Sequence, residues 1–258
     1  MVKKEQKVHW EADKYDGSMR FVSAFGSNML EMLNPQPGEV IVDFGCGTGD
    51  LAARIAECGA TVTGVDISPV MVERARTKYP HITFECADAI GWLATRQYDA
   101  VFSNAALHWM QDAEAAVKTM ANCLRVGGRL VAEFGGYGNV GSIVKAVRET
   151  LEAKGRTDAF VMPWYFPKVG QYAALLEREG FEVLMAILFD RPTPLEDGEQ
   201  GMMGWLRMFG TAMVPNATDA EMDNWFAEAC QRMKDECYMD GQWTADYRRI
   251  RIQAIKHS

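Results

Sequence analysis

The stretch VDFGCGTGDL, from Val42 to Leu51, places Gly45, Gly47 and Gly49 two residues apart at the end of an apolar run. Residues without a Cβ let the chain turn through left-handed conformations and let another group come close to the backbone. The apolar run reads as a buried strand and residues 49–58 as a helix, so the glycines form a strand-to-helix loop. A phosphate-binding P-loop would close on Lys-Ser/Thr, and Asp50-Leu51 stands there instead. A dinucleotide loop prefers G-x-G-x-x-G, whereas the spacing here is G-x-G-x-G.

Outward from the loop, short β-rich runs alternate with helical periods. Residues 39–44, 61–66, 82–88, 98–104 and 128–134 read as strands, several of them apolar nearly throughout, as for strands covered on both faces. Residues 69–78 and 113–124 read as helices between them, the first opening on Ser68-Pro69, a cap followed by proline at the first helical position. This alternation predicts an α/β fold with a doubly wound, mostly parallel sheet. Residues 18–33 predict an amphipathic helix ahead of it. Beyond residue 135 come helices near 140–154 and 168–179, strands at 181–190 and 246–255, and between those strands two amphipathic helices rich in Met and Trp. The latter predict a helical cap inserted over residues 191–240.

Composition excludes several classes. The chain has 258 residues, 48% apolar and 24% charged, with a net charge of -8, which offers no field for a nucleic-acid backbone or an anionic membrane. The opening MVKKEQKVHWEADKYDG has no apolar run behind it and does not read as a signal peptide, and no run is long enough for a membrane span. The six cysteines lack paired spacing and the four histidines are scattered, so a reduced cytoplasmic protein with no metal site is expected. The pattern is silent on oligomeric state.

A third ligand suits the loop. S-adenosylmethionine has no phosphates; glycines let the main chain approach its methionine part and sulfonium, while an acid on the next strand takes the ribose hydroxyls. Asp66 ends the second strand about twenty residues beyond Gly45, the spacing expected of a ribose-binding acid. Asp88-Ala89 ends the third strand, where an acid can meet the adenine amine. The segments VDFGCGTG, VTGVDIS, CADA, FSNAALHW and LRVGGRLVAEF together resemble the class I S-adenosylmethionine-dependent methyltransferases over residues 38–135. That resemblance implies a seven-stranded sheet whose last strand, here 244–256, runs antiparallel, and a single domain over 1–258 with residues 1–37 as an N-terminal helical segment. It assigns Gly45, Gly47 and Gly49 to the methionine loop, Asp43 to its support, Asp66 with Ile67 to the ribose, Asp88 and Ala89 to adenine, and Asn104 to the strand end near the sulfonium. Tyr15 and Arg20 are expected to close over the cofactor, whose spent form is S-adenosyl-L-homocysteine.

The acceptor is expected to be a small molecule. After the fourth strand, SNAALHWM lacks the Asn/Asp-Pro-Pro-aromatic motif of enzymes acting on exocyclic or amide nitrogens. N-A-x-L-[QH]-W is instead similar to the trans-aconitate, malonyl-carrier-protein and juvenile-hormone-acid methyltransferases, all of which methylate carboxylates; the first two carry Gln where His108 stands here. A carboxylate is already ionised at neutral pH and needs no base. Methylation of carbon, nitrogen or a hydroxyl would want one, and His108 beside Trp109 is the candidate. Trp164, Tyr165, Trp205 and Phe209 are candidate walls for the acceptor, and Arg207 the candidate partner for its carboxylate. A protein that binds the cofactor as a sensor and never consumes it is the alternative from another class.

Overall fold

The computed structural model describes residues 28–257, which form two compact units: residues 28–137, 165–188 and 249–257 in the larger, and 138–164 and 189–248 in the smaller. Tyr15, Arg20 and most of the amphipathic segment 18–33 lie outside the described residues. Residues 28–33 are helical.

In the larger unit β1 (Val40–Phe44), α1 (Asp50–Glu57), β2 (Thr61–Asp66), α2 (Pro69–Lys78), β3 (Thr83–Cys86), β4 (Tyr98–Asn104), α3 (Ala113–Cys123) and β5 (Leu124–Gly135) follow one another. β1 pairs in parallel with β2 and β4, β2 with β3, and β4 with β5. Parallel neighbours cannot be joined by a tight turn, so the chain crosses a sheet face between them. The helix starts are set by side chains: Ser68 Oγ accepts the Met71 amide at 3.4 Å with Pro69 behind it, and Asp112 Oδ1 accepts the Ala115 amide at 3.0 Å.

Alternation along each strand builds two cores. Ile41 packs with Ala52 and Ile55 of α1, Val72 and Ala75 of α2, and Phe84 and Phe102 on one face. Val42 and Phe44 turn to the other, among Val117 and Met120 of α3, Phe134, Ile250 and Ile252. Tyr172 and Leu176 of a further helix in this unit join the second core. Burial on both faces is why these strands carry so few polar residues.

After α4 (Gly141–Ala153) and α5 (Val169–Arg178) come β6 (Phe181–Pro194), α6 (Gly201–Phe209), α7 (Asp219–Cys237), β7 (Tyr238–Met239) and β8 (Gln242–Lys256). The strand order is β3-β2-β1-β4-β5-β8-β6, with β8 antiparallel to β5 and β7 paired to β8 beside this path. Seven strands were expected and eight are present among the described residues. The extra one is a two-residue arm turned by Asp240 and Gly241, both at positive φ (51° and 80°), the mark of a hairpin turn that suits twisted strands. In the smaller unit α4 and α7 are tied by Arg232 Nε donating to Thr150 Oγ1 at 3.1 Å and by Lys154 against Glu228 at 2.7 Å. No helix among the described residues is long and apolar enough to cross a membrane.

Phe134, fully buried, has its ring centroid 4.8 Å from that of Tyr172. Phe134→Ala is therefore expected to cost about 3–5 kcal/mol, read as a lower midpoint in urea denaturation followed by circular dichroism.

Candidate active site

Gly45, Gly47 and Gly49 all take positive φ, at 75°, 53° and 87°. The tightest position is Gly45, where a Cβ would fall 2.1 Å from the Cβ of Ala106 in the segment after β4. The Gly45 amide donates to the Val65 carbonyl at 2.7 Å, holding the loop against β2. Asp66 holds it from the side: Oδ2 accepts the Gly47 amide at 2.9 Å and Oδ1 the Ser68 amide at 2.8 Å. Two amides leave each carboxylate oxygen a further lone pair for a ligand hydroxyl.

Asp43 lies beneath this loop, 2% exposed, and no hydrogen bond reaches its carboxylate among the described residues. Burial first, and the charge of Asp66 second, push it up to about 8. Burial also raises Asp66, and together the two acids push the buried Cys46 thiol further up, so that it stays neutral. A bare backbone beside a buried and a half-buried acid fits a cofactor that carries a sulfonium and an ammonium. Ile67, 64% exposed, follows Asp66. Asp88 is exposed, its Oδ1 accepting the Ile90 amide at 2.8 Å, and Ala89 is buried behind it. Asn104 closes β4, in register with Glu133. These residues all lie at the carboxyl ends of neighbouring parallel strands, the edge where ligands bind in such sheets.

His108 and Trp109 occupy a short 3-10 turn, Leu107–Trp109, just beyond β4. His108 is 7% exposed and its Nδ1 accepts the Gly135 amide, a long bond of 3.4 Å at the end of β5. Burial, and then the positive charge of Arg249, hold its basicity well below the ordinary histidine value. The ring is therefore neutral, with its proton on Nε2, a donor rather than a base. Phe166 and Trp109 flank it, with centroids at 5.8 and 5.6 Å. The amide of half-buried Tyr165 donates to the His108 carbonyl at 2.8 Å, which fixes the turn.

The remaining candidates belong to the smaller unit. Trp205 is buried there, with Trp164 at 6.2 Å and Phe209 at 5.3 Å between centroids, and its Nε1 donates to the Tyr247 hydroxyl at 2.6 Å. That satisfied indole is what a core tryptophan requires. Arg207 is exposed and bound to Asp223 at 2.9 Å, so a helix-surface carboxylate holds the guanidinium that its sequence position offers to an acceptor.

Sequence pattern passed over Arg249 and the pairing of buried Glu133 with half-buried Arg251 (2.6 Å). The signal was present in RRIRI: Arg249 and Arg251 alternate with Ile250 and Ile252, and a charge on a covered strand must meet a partner or a site.

The Asp43 carboxyl yields a pH prediction. S-adenosylmethionine is cationic, so binding favours ionised Asp43 and releases its proton below pH 8. Affinity is expected to climb from pH 6 to about 8 in the wild type and to lose that rise in Asp43→Asn, by calorimetry in two buffers of different ionisation enthalpy. The same shift has the opposite sign for the unliganded fold. The unfolded carboxyl ionises near 3.8 while the folded one waits until about 8, so stability falls as pH rises across that window.

Comparison with known proteins agrees with this geometry. Residues 41–128 match the methyltransferase domain family. An uncharacterised methyltransferase of Schizosaccharomyces pombe is 30% identical over 262 aligned positions, covering 96% of this chain and 98% of that one. The trans-aconitate 2-methyltransferase of Methylobacterium radiotolerans is 27% identical over 90% of this chain and 92% of its own. Among solved structures, an S-adenosylmethionine-dependent methyltransferase from Mesorhizobium loti superposes with a TM-score of 0.54 at 22% identity, covering 89% of this chain and 96% of that one. With a glycine loop after β1, an acid within β1 and another ending β2, and similarity running nearly end to end, the chain belongs to the class I S-adenosylmethionine-dependent methyltransferases.

Proposed function

We propose that the protein methylates a carboxylate oxygen of a small organic acid. The observation that carries this reading is the state of His108: buried, neutral, and bound through Nδ1 to the Gly135 amide. A phenol, an ammonium or a carbon acid must surrender a proton to a base, and this ring is a poor one. A carboxylate surrenders none. Similarity to trans-aconitate 2-methyltransferases over most of the chain supports the same reading.

S-adenosyl-L-methionine, when bound, supplies an electrophilic methyl group on sulfur. Gly45, Gly47 and Gly49 give the backbone room to approach its methionine part, with Asp43 beneath. Asp66 would hold the ribose, with Ile67 beside it, Asp88 and Ala89 would take the adenine, and Asn104 would serve the sulfonium end. Trp109 and Tyr165 wall the acceptor side and keep water out, and the Nε2–H of His108 can hold one carboxylate oxygen. The other oxygen forms the new O–C bond as the C–S bond breaks. Its electron pair stays on sulfur, and no proton moves. Catalysis is then a matter of alignment and exclusion of water.

Label transfer from the cofactor into an extract and a panel of organic acids, followed by mild alkali, tests this directly. Label released as methanol supports a methyl ester; alkali-stable label overturns it. At saturating cofactor, His108→Gln is expected to lower kcat by less than about tenfold, with no loss of a basic limb between pH 6 and 8. Removal of a true general base costs roughly 10²–10⁴.

A further inference from the structure

Residues 87–97 carry the chain from β3 to β4 without a helix or a strand. A segment of that kind keeps one shape only where its neighbours satisfy its polar groups. The Ala87 amide donates to the Asp66 carbonyl at 3.0 Å, and the Ile90 amide to Asp88 Oδ1 at 2.8 Å. The Gly91 amide donates to Thr119 Oγ1 of α3 at 2.9 Å, a hydroxyl that itself donates to the Ala115 carbonyl at 3.0 Å. Trp92 Nε1 donates to Glu85 Oε2 of β3 at 2.8 Å. The half-buried Trp92 ring meets Phe44 edge-on at 5.5 Å and Tyr98 at 5.9 Å between centroids. Phe44 is the last residue of β1 before Gly45, so one indole touches the root of the glycine loop and closes the turn that carries Asp88. Packing on its faces and a bond at its nitrogen hold such a ring in one orientation.

We propose that Trp92, latched by Glu85, is a positioning residue for the methyl donor. It holds the turn 87–91 so that Asp88, with Oδ1 occupied by the Ile90 amide, offers its other oxygen to the exocyclic amine of adenine. The latch thereby selects an amino purine over a keto purine, whose carbonyl would set one acceptor against another. This inference rests on the reading that Asp88 meets adenine, and it adds the residues that keep Asp88 in place. Thr119 acts on the same turn from α3 through the Gly91 amide, without the ring.

S-adenosylhomocysteine and S-inosylhomocysteine differ in that amine and are the probes, titrated into the whole chain and followed by calorimetry. The wild type is expected to bind the adenosyl compound at least about tenfold more tightly. Trp92→Phe keeps an aromatic ring and loses the indole N–H, whereas Glu85→Leu loses the acceptor. Each should weaken S-adenosylhomocysteine roughly 3- to 30-fold, the loss of one hydrogen bond to an ionised group, and bring the two affinities to within about threefold of each other. Glu85→Gln keeps an acceptor oxygen and should restore the wild-type preference. The double variant should bind no more weakly than either single one, because both remove the same bond. Thr119→Val should narrow the preference as well. In turnover these variants should raise KM for the methyl donor and leave kcat unchanged. An unchanged preference in Trp92→Phe or Glu85→Leu, or additive losses in the double variant, would overturn the latch alone. If Trp92→Phe does not fold, Glu85→Leu against Glu85→Gln still decides. A wild type that binds both compounds alike would remove the adenine reading of Asp88, and the latch with it.

Discussion

No atom heavier than hydrogen fits on Gly45. A methyl there would fall 2.1 Å from Ala106, so the loop after β1 and the segment after β4 can meet only because one of them is bare backbone. Much else is arranged around that contact. It sets the glycine loop, braced by Asp66, beside the chain that leads within a few residues to His108 and Trp109. The cofactor edge and the acceptor edge of the sheet are joined through a place where a side chain is missing.

Electrostatics then divide this edge into two ends. At β1 and β2 lie Asp43, buried, and Asp66, half-buried; burial raises the proton affinity of both, and the charge of Asp66 raises that of Asp43 further. At β5 and β8, burial first and the charge of Arg249 second keep His108 neutral. For the carboxylate acceptor proposed above, one sheet would present two differently charged ends to two reactants of opposite charge. Methyl transfer between them needs little from the protein beyond holding each where its charge is welcome.

The fold was legible because its signals are local. Apolar runs bounded by glycine and proline marked β2 and β4 to the residue and β1 to within one, and Ser68-Pro69 marked the start of α2. Boundaries set by tertiary pairing were less visible: β5 begins at Leu124, four residues before its apolar pattern starts, and β6 continues to Pro194 through polar residues. The hairpin at Asp240-Gly241 was signalled by an Asp-Gly pair, in a stretch where a long helical period dominated. On the cofactor side, motif spacing named the residues that the structure gathers at one edge. The pairing of Arg249 with Gly135 was harder to see, because strand register across more than a hundred residues decides it. Amphipathic spacing alone made Arg207 look available, and only the surface pairing with Asp223 shows how it is spent.

Asp43 has one more consequence, for the end of the catalytic cycle. A buried carboxylate holds a sulfonium by Coulomb attraction and holds a thioether by none. Once the methyl group has left, the sulfur is neutral and the negative charge beneath the loop loses its counterpart. Taking a proton back from solvent relieves that imbalance and weakens the grip on the spent molecule. In the proposed reaction, the group that would help recruit the methyl donor would also favour the departure of its remnant, through the change of charge on sulfur.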